Sequence, residues 1–278
     1  MEDYVIRLVA IDMDGTLLNS NKKLSKENQK TIEDYAKKGV MFSFCTGRVM
    51  NEIEIVSAKL PEVKYAITCN GSLVYDISDR ECPRLIYGDT LSIEEVRTIY
   101  EFAETLEFDM MFELQADGVV YADKKCIENP EKYGVGYIRE LIQRTRVPVD
   151  NMREYIYERS KDVGKLNIFF PNTNIRNKAL KSFKKLNYEF AYSEPTNIDI
   201  NQKGSNKGRG LRKLVDYLEL TKDEVMVIGD NFNDLEMLQA TPNSVAMANA
   251  PEEVKKYAKF TTLSNDQNGV AYAIKKYC

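Results

Sequence analysis

The chain has 278 residues, of which 43% are hydrophobic and 29% are charged, and its formal net charge is −4. This composition is typical of a soluble globular protein, and the length predicts one large domain or two modest ones. The mildly negative charge argues against nucleic acid or an anionic membrane surface as a partner. The sequence contains no histidine, which excludes Ser-His-Asp triads, Cys-His dyads and histidine-ligated zinc.

The sequence also argues against membrane insertion and export. No stretch approaches the roughly 20 consecutive apolar residues of a membrane span, and the first residues lack the basic start and long apolar run of a secretion signal. The five cysteines are scattered without metal-type spacing and are expected to be reduced thiols. We therefore expect a cytoplasmic protein with no membrane contact, and the sequence indicates no obligate protein partner.

The first third of the chain alternates predicted strands and helices. Their order is a strand at 4–11, a helix at 25–38, a strand at 40–45, a helix at 51–60 and a strand at 65–71. Ser25 is the predicted N-cap of the first helix, and Gly39 lies just past its end. This alternation predicts βαβ units and a parallel sheet.

The pattern changes between residues 84 and 195. This stretch contains predicted helices at 92–106, 131–143 and 175–186, a hairpin at 108–122 and a strand at 165–170. The mixture is typical of an α+β module that has a sheet of its own. We therefore predict that residues 84–195 form an insertion.

Strict alternation resumes after this insertion. The predicted elements are a helix within 204–219, a strand at 224–230, a helix at 233–240, a strand at 244–249 and a final full helix at 251–260. Residues 1–83 and 196–278 are therefore predicted to form one α/β core, a Rossmann-like parallel sheet with helices on both faces.

Polar side chains follow three of the predicted strands, at the points where the strands end. They are Asp12 and Asp14, then Thr46 and Gly47, and then Asp230, Asn231, Asn233 and Asp234. Lys207, at the start of a predicted helix, can reach the same edge. Because open α/β sheets bind ligands beyond the carboxyl ends of their strands, we expect these residues to form one site.

Four carboxylates in one pocket repel each other strongly unless a cation lies among them. Their oxygen atoms suit a hard ion, and Mg²⁺ is favoured over Ca²⁺ because a phosphate site tolerates octahedral geometry with retained waters. A threonine hydroxyl, a lysine ammonium, backbone N–H groups and an asparagine amide complete a set of groups that binds a phosphoryl group. The residues alone therefore predict a magnesium and phosphate site.

Four motifs resemble those of the haloacid dehalogenase-like phosphohydrolases. In chain order they are DMDGTLL, FCTGR, the lysine of GSNKGRGL, and GDNFNDLEML. The insertion after the third strand, together with NGSLVYD and VAMANAPEEVK, resembles the Cof-like branch of that family, whose members carry a large α+β cap. This resemblance spans nearly all of the core, whereas the insertion matches a cap in size and position only.

The resemblance implies catalytic roles for two aspartates and a set of metal ligands. Asp12 would be the nucleophile that forms an aspartyl-phosphate, which divides one difficult step into two easier ones. Asp14 would protonate the departing alkoxide and then take a proton from the hydrolytic water. Mg²⁺ would be bound by the Asp12 carboxylate, the Asp14 main-chain carbonyl and the Asp230 carboxylate.

The resemblance also implies which residues bind the phosphate. Thr46, the Gly47 N–H, Lys207 and Asn233 would contact its oxygen atoms. Asp234 would orient either Lys207 or a water molecule on the metal. For both Asp234 and Asn231, contact with the metal could be direct or through a water molecule. Thr46 is compatible with a second role as a helix N-cap, since helix N-termini bind phosphate.

The leading hypothesis is a Mg²⁺-dependent phosphatase that acts on small phosphorylated metabolites, such as sugar phosphates, under a cap at residues 84–195. Nucleotides and phosphorylated cofactors remain open as substrates. One alternative is a phosphosugar mutase of the same fold, and another, of a different class, is a non-catalytic phospho-accepting sensor module. A cysteine-dependent phosphatase built on Cys45 is disfavoured because the chain lacks histidine, so we predict that Cys45 is a small core residue.

Overall fold

The computed structural model describes residues 5–192 and 194–278, which divide into two compact units. The first unit comprises the described residues of Met1–Gly47 together with Ile53–Gly88 and Asn206–Cys278, and the second comprises Arg48–Glu52 and Asp89–Ser205. Tyr4, with which the first predicted strand begins, lies outside the described residues. None of the helices in the described ranges has the length and apolar character that crossing a bilayer requires.

Fourteen strands are assigned in the described residues. In chain order they are β1 (Leu8–Ile11), β2 (Met41–Cys45), β3 (Tyr65–Thr68), β4 (Leu73–Asp76), β5 (Arg84–Gly88), β6 (Met111–Ala116), β7 (Val119–Asp123), β8 (Arg146–Val149), β9 (Lys165–Phe169), β10 (Glu189–Ala191), β11 (Asn197–Asn201), β12 (Val225–Gly229), β13 (Asn243–Ala246) and β14 (Phe260–Thr261).

Eleven α-helices in the same described ranges connect them. In chain order they are α1 (Lys26–Ala36), α2 (Met50–Ser57), α3 (Ile93–Glu104), α4 (Lys124–Glu128), α5 (Arg139–Thr145), α6 (Met152–Glu158), α7 (Thr173–Phe183), α8 (Lys207–Tyr217), α9 (Leu235–Leu238), α10 (Glu252–Lys255) and α11 (Gly269–Tyr277).

The first unit is built on an eight-stranded sheet in the order β14-β13-β12-β1-β2-β3-β4-β5. Six of these strands are parallel, and β4 and β5 extend the sheet antiparallel beyond β3. Every residue of β1 is buried, as expected for a central strand that is covered on both faces. The predicted α/β fold class is therefore confirmed.

Helices cover both faces of this sheet. Leu8 and Ala10 of β1 belong to a buried cluster that includes Leu211 of α8 and Met237 of α9. Two other helices, α1 and α11, are joined to each other, because the buried Asn28 side chain of α1 accepts a hydrogen bond at 3.0 Å from the N–H of Ala271 in α11. The central strands are thus held by helices, and the strand ends remain available for a site.

The second unit has its own six-stranded sheet, in the order β10-β11-β9-β6-β7-β8. It is antiparallel except where β7 and β8 run parallel. Its apolar face forms a separate core, in which Leu114 and Ile168 of the sheet pack with Ile99 of α3 and Phe183 of α7. The predicted α+β character of the insertion agrees with this arrangement.

The boundaries of the two units differ from the predicted limits of 84 and 195. The stretch LIYG is predicted to belong to the insertion, but β5 pairs with β4 at the edge of the first sheet, so the main part of the second unit begins at Asp89. It ends at Ser205, because β11 pairs with β9 and β10 inside the second sheet. Strand pairing between distant segments decides both limits, and local periodicity carries no information on it.

Several predicted helices are shorter than expected. The helix predicted at 251–260 is only α10, Glu252–Lys255, because Phe260 then pairs with Val245 in the sheet. The final full helix is α11, which the sequence pattern did not reveal. The helices predicted at 51–60, 131–143 and 233–240 are reduced to Met50–Ser57, Arg139–Thr145 and Leu235–Leu238, with 3₁₀ turns before the last two. By contrast, Ser25 caps α1 as predicted, through a hydrogen bond from the N–H of Asn28.

Candidate active site

Asp12, Thr46 and Asp230 follow three neighbouring strands at the same edge of the first sheet. The register pairs Ile11 of β1 with both Phe44 of β2 and Ile228 of β12. The Asp12 N–H continues this ladder by donating to the Ile228 carbonyl at 2.9 Å. Parallel strands end together at one edge, which is why residues far apart in the chain converge here.

Lys207 lies at the centre of this group. It is the first residue of α8, which is capped by Asn206, whose side chain accepts from the Arg209 N–H at 2.8 Å. The Lys207 Nζ atom is 2.6 Å from Asp12 Oδ1 and 2.7 Å from Asp234 Oδ1, and the lysine is fully buried. One buried ammonium therefore bridges two carboxylates from different segments.

The loop after β12 carries both Asp230 and Asp234. Asp234 Oδ2 accepts from the backbone N–H groups of Asp230 and Asn231 at 2.9 and 3.0 Å. Asp230 Oδ1 accepts from the Thr16 hydroxyl at 2.8 Å. Carboxylate oxygens of Asp12, Asp230 and Asp234 all lie within 4.8 Å of one another.

Burial makes this carboxylate cluster electrostatically costly. Desolvation raises the pKa of Asp12 well above its ordinary value, with Lys207 opposing the shift and Asp234 adding to it. Desolvation, followed by repulsion from Asp234, raises the pKa of Asp230 to about 7. Burial by itself lowers the pKa of Lys207, but Asp12 and Asp234 raise that pKa above the ordinary value, so the ammonium stays charged.

The donor set fits a divalent cation. When all three carboxylates are ionised, the single ammonium leaves two negative charges without compensation. Oxygen donors from Asp12 and Asp230 suit a hard ion such as Mg²⁺. Asp234 already accepts hydrogen bonds at both oxygens, from Lys207 and from the two N–H groups, so it is less suited to bind the ion directly.

The predicted phosphate-binding residues Thr46 and Asn233 are connected through Asn70. The Asn70 N–H donates to the Thr46 carbonyl at 3.1 Å, and Asn70 Oδ1 accepts from Asn233 Nδ2 at 3.3 Å. Thr46 is buried, and Gly47 follows it directly. Asp14 is partly exposed, and its carboxylate accepts from Lys22 Nζ at 2.8 Å.

Three residues that support the site received no role from the sequence. Thr16 binds Asp230, and Asn70 links Thr46 to Asn233. Asn249 donates to the Gly15 carbonyl at 2.8 Å and to Asp230 Oδ2 at 3.3 Å. Each lies inside a motif that resembles the family, DMDGTLL, NGSLVYD or VAMANAPEEVK. The motifs therefore point to these residues but do not predict which groups they contact.

Cys45 is fully buried among apolar residues at the end of β2, as predicted for a core residue. Desolvation raises the pKa of its thiol far above the usual value. A thiol in this condition stays protonated and is a poor nucleophile. The geometry therefore gives no support to a cysteine-dependent reaction.

Gly15 is required by both its backbone conformation and the space around it. Its φ is +85°, and a Cβ atom would lie 2.4 Å from Asp230 Oδ2. We expect Gly15→Ala to displace Asp230 and to lower activity by about 100-fold or more, on the scale of misplaced catalytic groups. Steady-state rates and metal titration measure this effect.

Gly39→Ala is the matched control for that variant. Gly39 also has a left-handed φ, +96°, but a Cβ atom added to it would meet nothing within 4 Å among the described residues. It should therefore lose about 1–2 kcal/mol of stability from backbone strain and keep its activity. If both variants lose stability alike and retain activity, crowding against Asp230 is not important.

The chain resembles known proteins in its sequence and in its fold. The family model for haloacid dehalogenase-like hydrolases matches residues 9–274. Two 5-amino-6-(5-phospho-D-ribitylamino)uracil phosphatases of Bacillus subtilis, YcsE and YwtE, are each 30% identical to this chain. The match to YcsE covers 99% of this chain and the match to YwtE covers 97% of it, and each match covers 97% of the relative. A solved haloacid dehalogenase-like hydrolase from B. subtilis has the same fold, with a TM-score of 0.83 at 24% identity over 98% of this chain and 100% of that one. The resemblance that the four motifs predicted is confirmed.

Proposed function

The chain belongs to the haloacid dehalogenase-like hydrolases, and from that premise we propose that it is a Mg²⁺-dependent phosphatase of small phosphorylated metabolites with Asp12 as its nucleophile. Its relatives at 30% identity are named as phosphatases. The observation that carries the proposal is the buried Lys207 ammonium, 2.6 Å from Asp12 and 2.7 Å from Asp234, with the Asp230 carboxylate beside them. This arrangement supports a nucleophile, a fixed positive charge and a cation site at one point.

In this proposal four groups bind the phosphoryl group. Lys207, the Thr46 hydroxyl, the Gly47 N–H and the Asn233 amide would contact its oxygen atoms. Asp234 holds the Lys207 ammonium in place and thereby orients it. Charge that is fixed in a buried site stabilises the transition state without reorganising when the reaction occurs.

The first step transfers the phosphoryl group to the protein. A carboxylate oxygen of Asp12 attacks phosphorus, the bond between phosphorus and the ester oxygen breaks, and Asp14 gives its proton to that oxygen. The products are an alcohol and an aspartyl-phosphate on Asp12. This step needs Asp14 in its protonated form.

The second step returns the protein to its starting state. Asp14, now ionised, takes a proton from water while the water oxygen attacks phosphorus. The bond between phosphorus and the Asp12 oxygen breaks, so that inorganic phosphate leaves and Asp14 is protonated again. One carboxyl group therefore serves as acid and then as base.

The Asp12 and Asp230 carboxylates and the Asp14 main-chain carbonyl would hold Mg²⁺. When bound, the ion neutralises charge on the phosphate and on the surrounding carboxylates. We expect EDTA to stop phosphate release, and we expect Mg²⁺ at 100 times its dissociation constant to stabilise the fold by about 2.7 kcal/mol. Thermal unfolding with and without Mg²⁺ measures the second effect.

Asp230→Asn is the control for metal binding, because it removes one ionic ligand and changes the volume little. It should lose both the activity and the stabilisation by Mg²⁺. If Ca²⁺ sustains the reaction as well as Mg²⁺, the preference for octahedral geometry is wrong.

Asp14→Asn should separate the proposed acid role from binding. We expect turnover of alkyl phosphates to fall by about 100-fold or more, since the alkoxide can no longer be protonated. The loss should be smaller with p-nitrophenyl phosphate, whose leaving group needs no proton. Steady-state kinetics on both substrates provide the measurement, and equal losses would contradict the acid role.

A phosphate-release assay over a metabolite panel with Mg²⁺ tests the proposal as a whole. The panel contains ribose 5-phosphate, glucose 6-phosphate, glycerol 3-phosphate, AMP and 5-amino-6-(5-phospho-D-ribitylamino)uracil, which the names of two relatives suggest. We propose that the second unit selects among these substrates, as the cap would in the Cof-like branch. We also propose that the protein works in the cytosol. Phosphate release by the Asp12→Asn variant would contradict the proposed phosphatase activity. So would conversion of a sugar phosphate to its isomer without release of phosphate.

A further inference from the structure

Lys22 contacts Asp14, the residue proposed above as acid and base. Its Nζ atom is 2.8 Å from Asp14 Oδ1, and the two side chains are 41% and 33% exposed. An ion pair this exposed contributes little to stability, because water screens both charges and the lysine loses freedom. Stability of the fold therefore does not account for the contact.

The backbone around Lys22 is held in an unusual conformation. Lys22 has a φ of 57°, a left-handed conformation that is uncommon for a residue with a long side chain. Its N–H donates to the Asn19 carbonyl at 2.8 Å, and the Asn19 side chain accepts from the N–H groups of Asn21 and Lys23 at 3.0 and 2.9 Å. Local hydrogen bonds therefore impose the unusual conformation.

Further contacts anchor this turn to the rest of the first unit. The two carboxylate oxygens of Asp266 accept from Ser20, one from its N–H at 2.8 Å and one from its hydroxyl at 2.7 Å. Backbone bridges join Asp14 to Leu18 and Leu18 to Leu24. The backbone from which the Lys22 side chain reaches Asp14 is therefore anchored.

We propose that Lys22 is a positioning residue for Asp14, which holds Oδ1 of the Asp14 carboxyl group and so leaves the other oxygen to carry the transferred proton in the orientation that the reaction requires. The inference rests on the proposed function, because Lys22 has this role only if Asp14 works as acid and base. The Lys22 contact restricts rotation of this partly exposed carboxyl group about its Cβ–Cγ bond, and orientations that cannot transfer a proton lower the fraction that is ready to react. Lys22 acts through Asp14 and binds neither the phosphoryl group nor the leaving oxygen.

The test compares Lys22→Met, which keeps the apolar stem, with Lys22→Arg, which keeps a cation. The alkyl substrate is whichever of ribose 5-phosphate, glucose 6-phosphate and glycerol 3-phosphate the wild type hydrolyses fastest, and the aryl substrate is p-nitrophenyl phosphate. We expect Lys22→Met to lower kcat about 10-fold or more for the alkyl substrate and less than about 3-fold for the aryl one, with KM nearly unchanged. Lys22→Arg should recover most of this loss.

Two controls separate positioning from a general effect on the fold. Lys23→Met changes an exposed lysine on the same turn and should leave both rates within about 2-fold of wild type. In an Asp14→Asn background, Lys22→Met should cost less than about 2-fold, because the carboxylate through which Lys22 acts is gone.

Three results would overturn the positioning role: equal losses for both substrates, a raised KM at unchanged kcat, or a full loss in the Asp14→Asn background. A wild-type protein that releases phosphate from none of the substrates would instead overturn the proposed function. The two failures are therefore distinguishable.

Discussion

Replacing Asp12 with asparagine is expected to abolish multiple turnover, lowering kcat by about 10⁴-fold or more, because an amide cannot form the acyl phosphate. The protein should stay folded. The amide oxygen can still accept from Lys207 Nζ, and Lys207 keeps its second partner, Asp234, at 2.7 Å. Phosphate release under saturating substrate measures the effect on turnover.

The unfolding free energy of Asp12→Asn serves as the control for this variant. It should lie within about 1 kcal/mol of wild type, since volume is conserved and one buried carboxylate of raised pKa is removed. Trapping with acid should yield phosphorylated protein from wild type and none from the variant. Sustained turnover in the variant would refute the nucleophile assignment.

Replacing Lys207 with methionine should cost both stability and activity. Methionine has nearly the same length but leaves Asp12 and Asp234 as buried carboxylates without their shared cation. Breaking a buried ion pair by removing one partner typically costs 3–5 kcal/mol, so we expect a loss of about 3–5 kcal/mol in unfolding free energy. Turnover should fall by about 100-fold or more, because the fixed charge that we propose to contact the phosphoryl group is lost. Chemical denaturation and steady-state kinetics measure the two effects.

Arg212→Met is the control for Lys207→Met, since Arg212 is an exposed cation on the same helix. It should change stability by less than about 0.5 kcal/mol and leave turnover unaffected. Added Mg²⁺ should restore part of the stability of Lys207→Met, because it supplies positive charge to the same carboxylates. If Lys207→Met unfolds like wild type, the buried pairs contribute nothing to the fold.

Much of the fold could be predicted because the local sequence patterns agree with the pairing and packing of the folded chain. The apolar runs at 40–45 and 65–71 become β2 and β3, and the hairpin predicted at 108–122 becomes β6 and β7. The errors fall where pairing overrides periodicity. A helical pattern at 251–260 gives way to β14 after one turn, because the sheet takes up Phe260 as an edge residue.

The candidate site was predictable from residue types at strand ends, and the family and phosphatase class inferred from its motifs are confirmed. The expectation that Asp12, Asp230, Asp234 and Lys207 meet agrees with their distances. The partners of the partly exposed Asp14 were not predictable. Lys22 contacts it from a turn whose backbone is held by Asn19 and Asp266.

The available chemistry can be read from the residues alone: oxygen donors, a lysine at the start of a predicted helix, and no histidine. The alternation of strands and helices also predicts that these groups meet at one edge of a sheet. Which of these groups touch is visible only in the folded chain, where Lys207 bridges Asp12 and Asp234, and Thr16 and Asn249 contact Asp230. The alternation of strands with helices indicates parallel strands whose carboxyl ends meet at one edge, and this alternation is a local pattern. Hydrogen-bond partners instead depend on atoms contributed by distant segments, such as Thr16 and Asp230 at a separation of 214 residues.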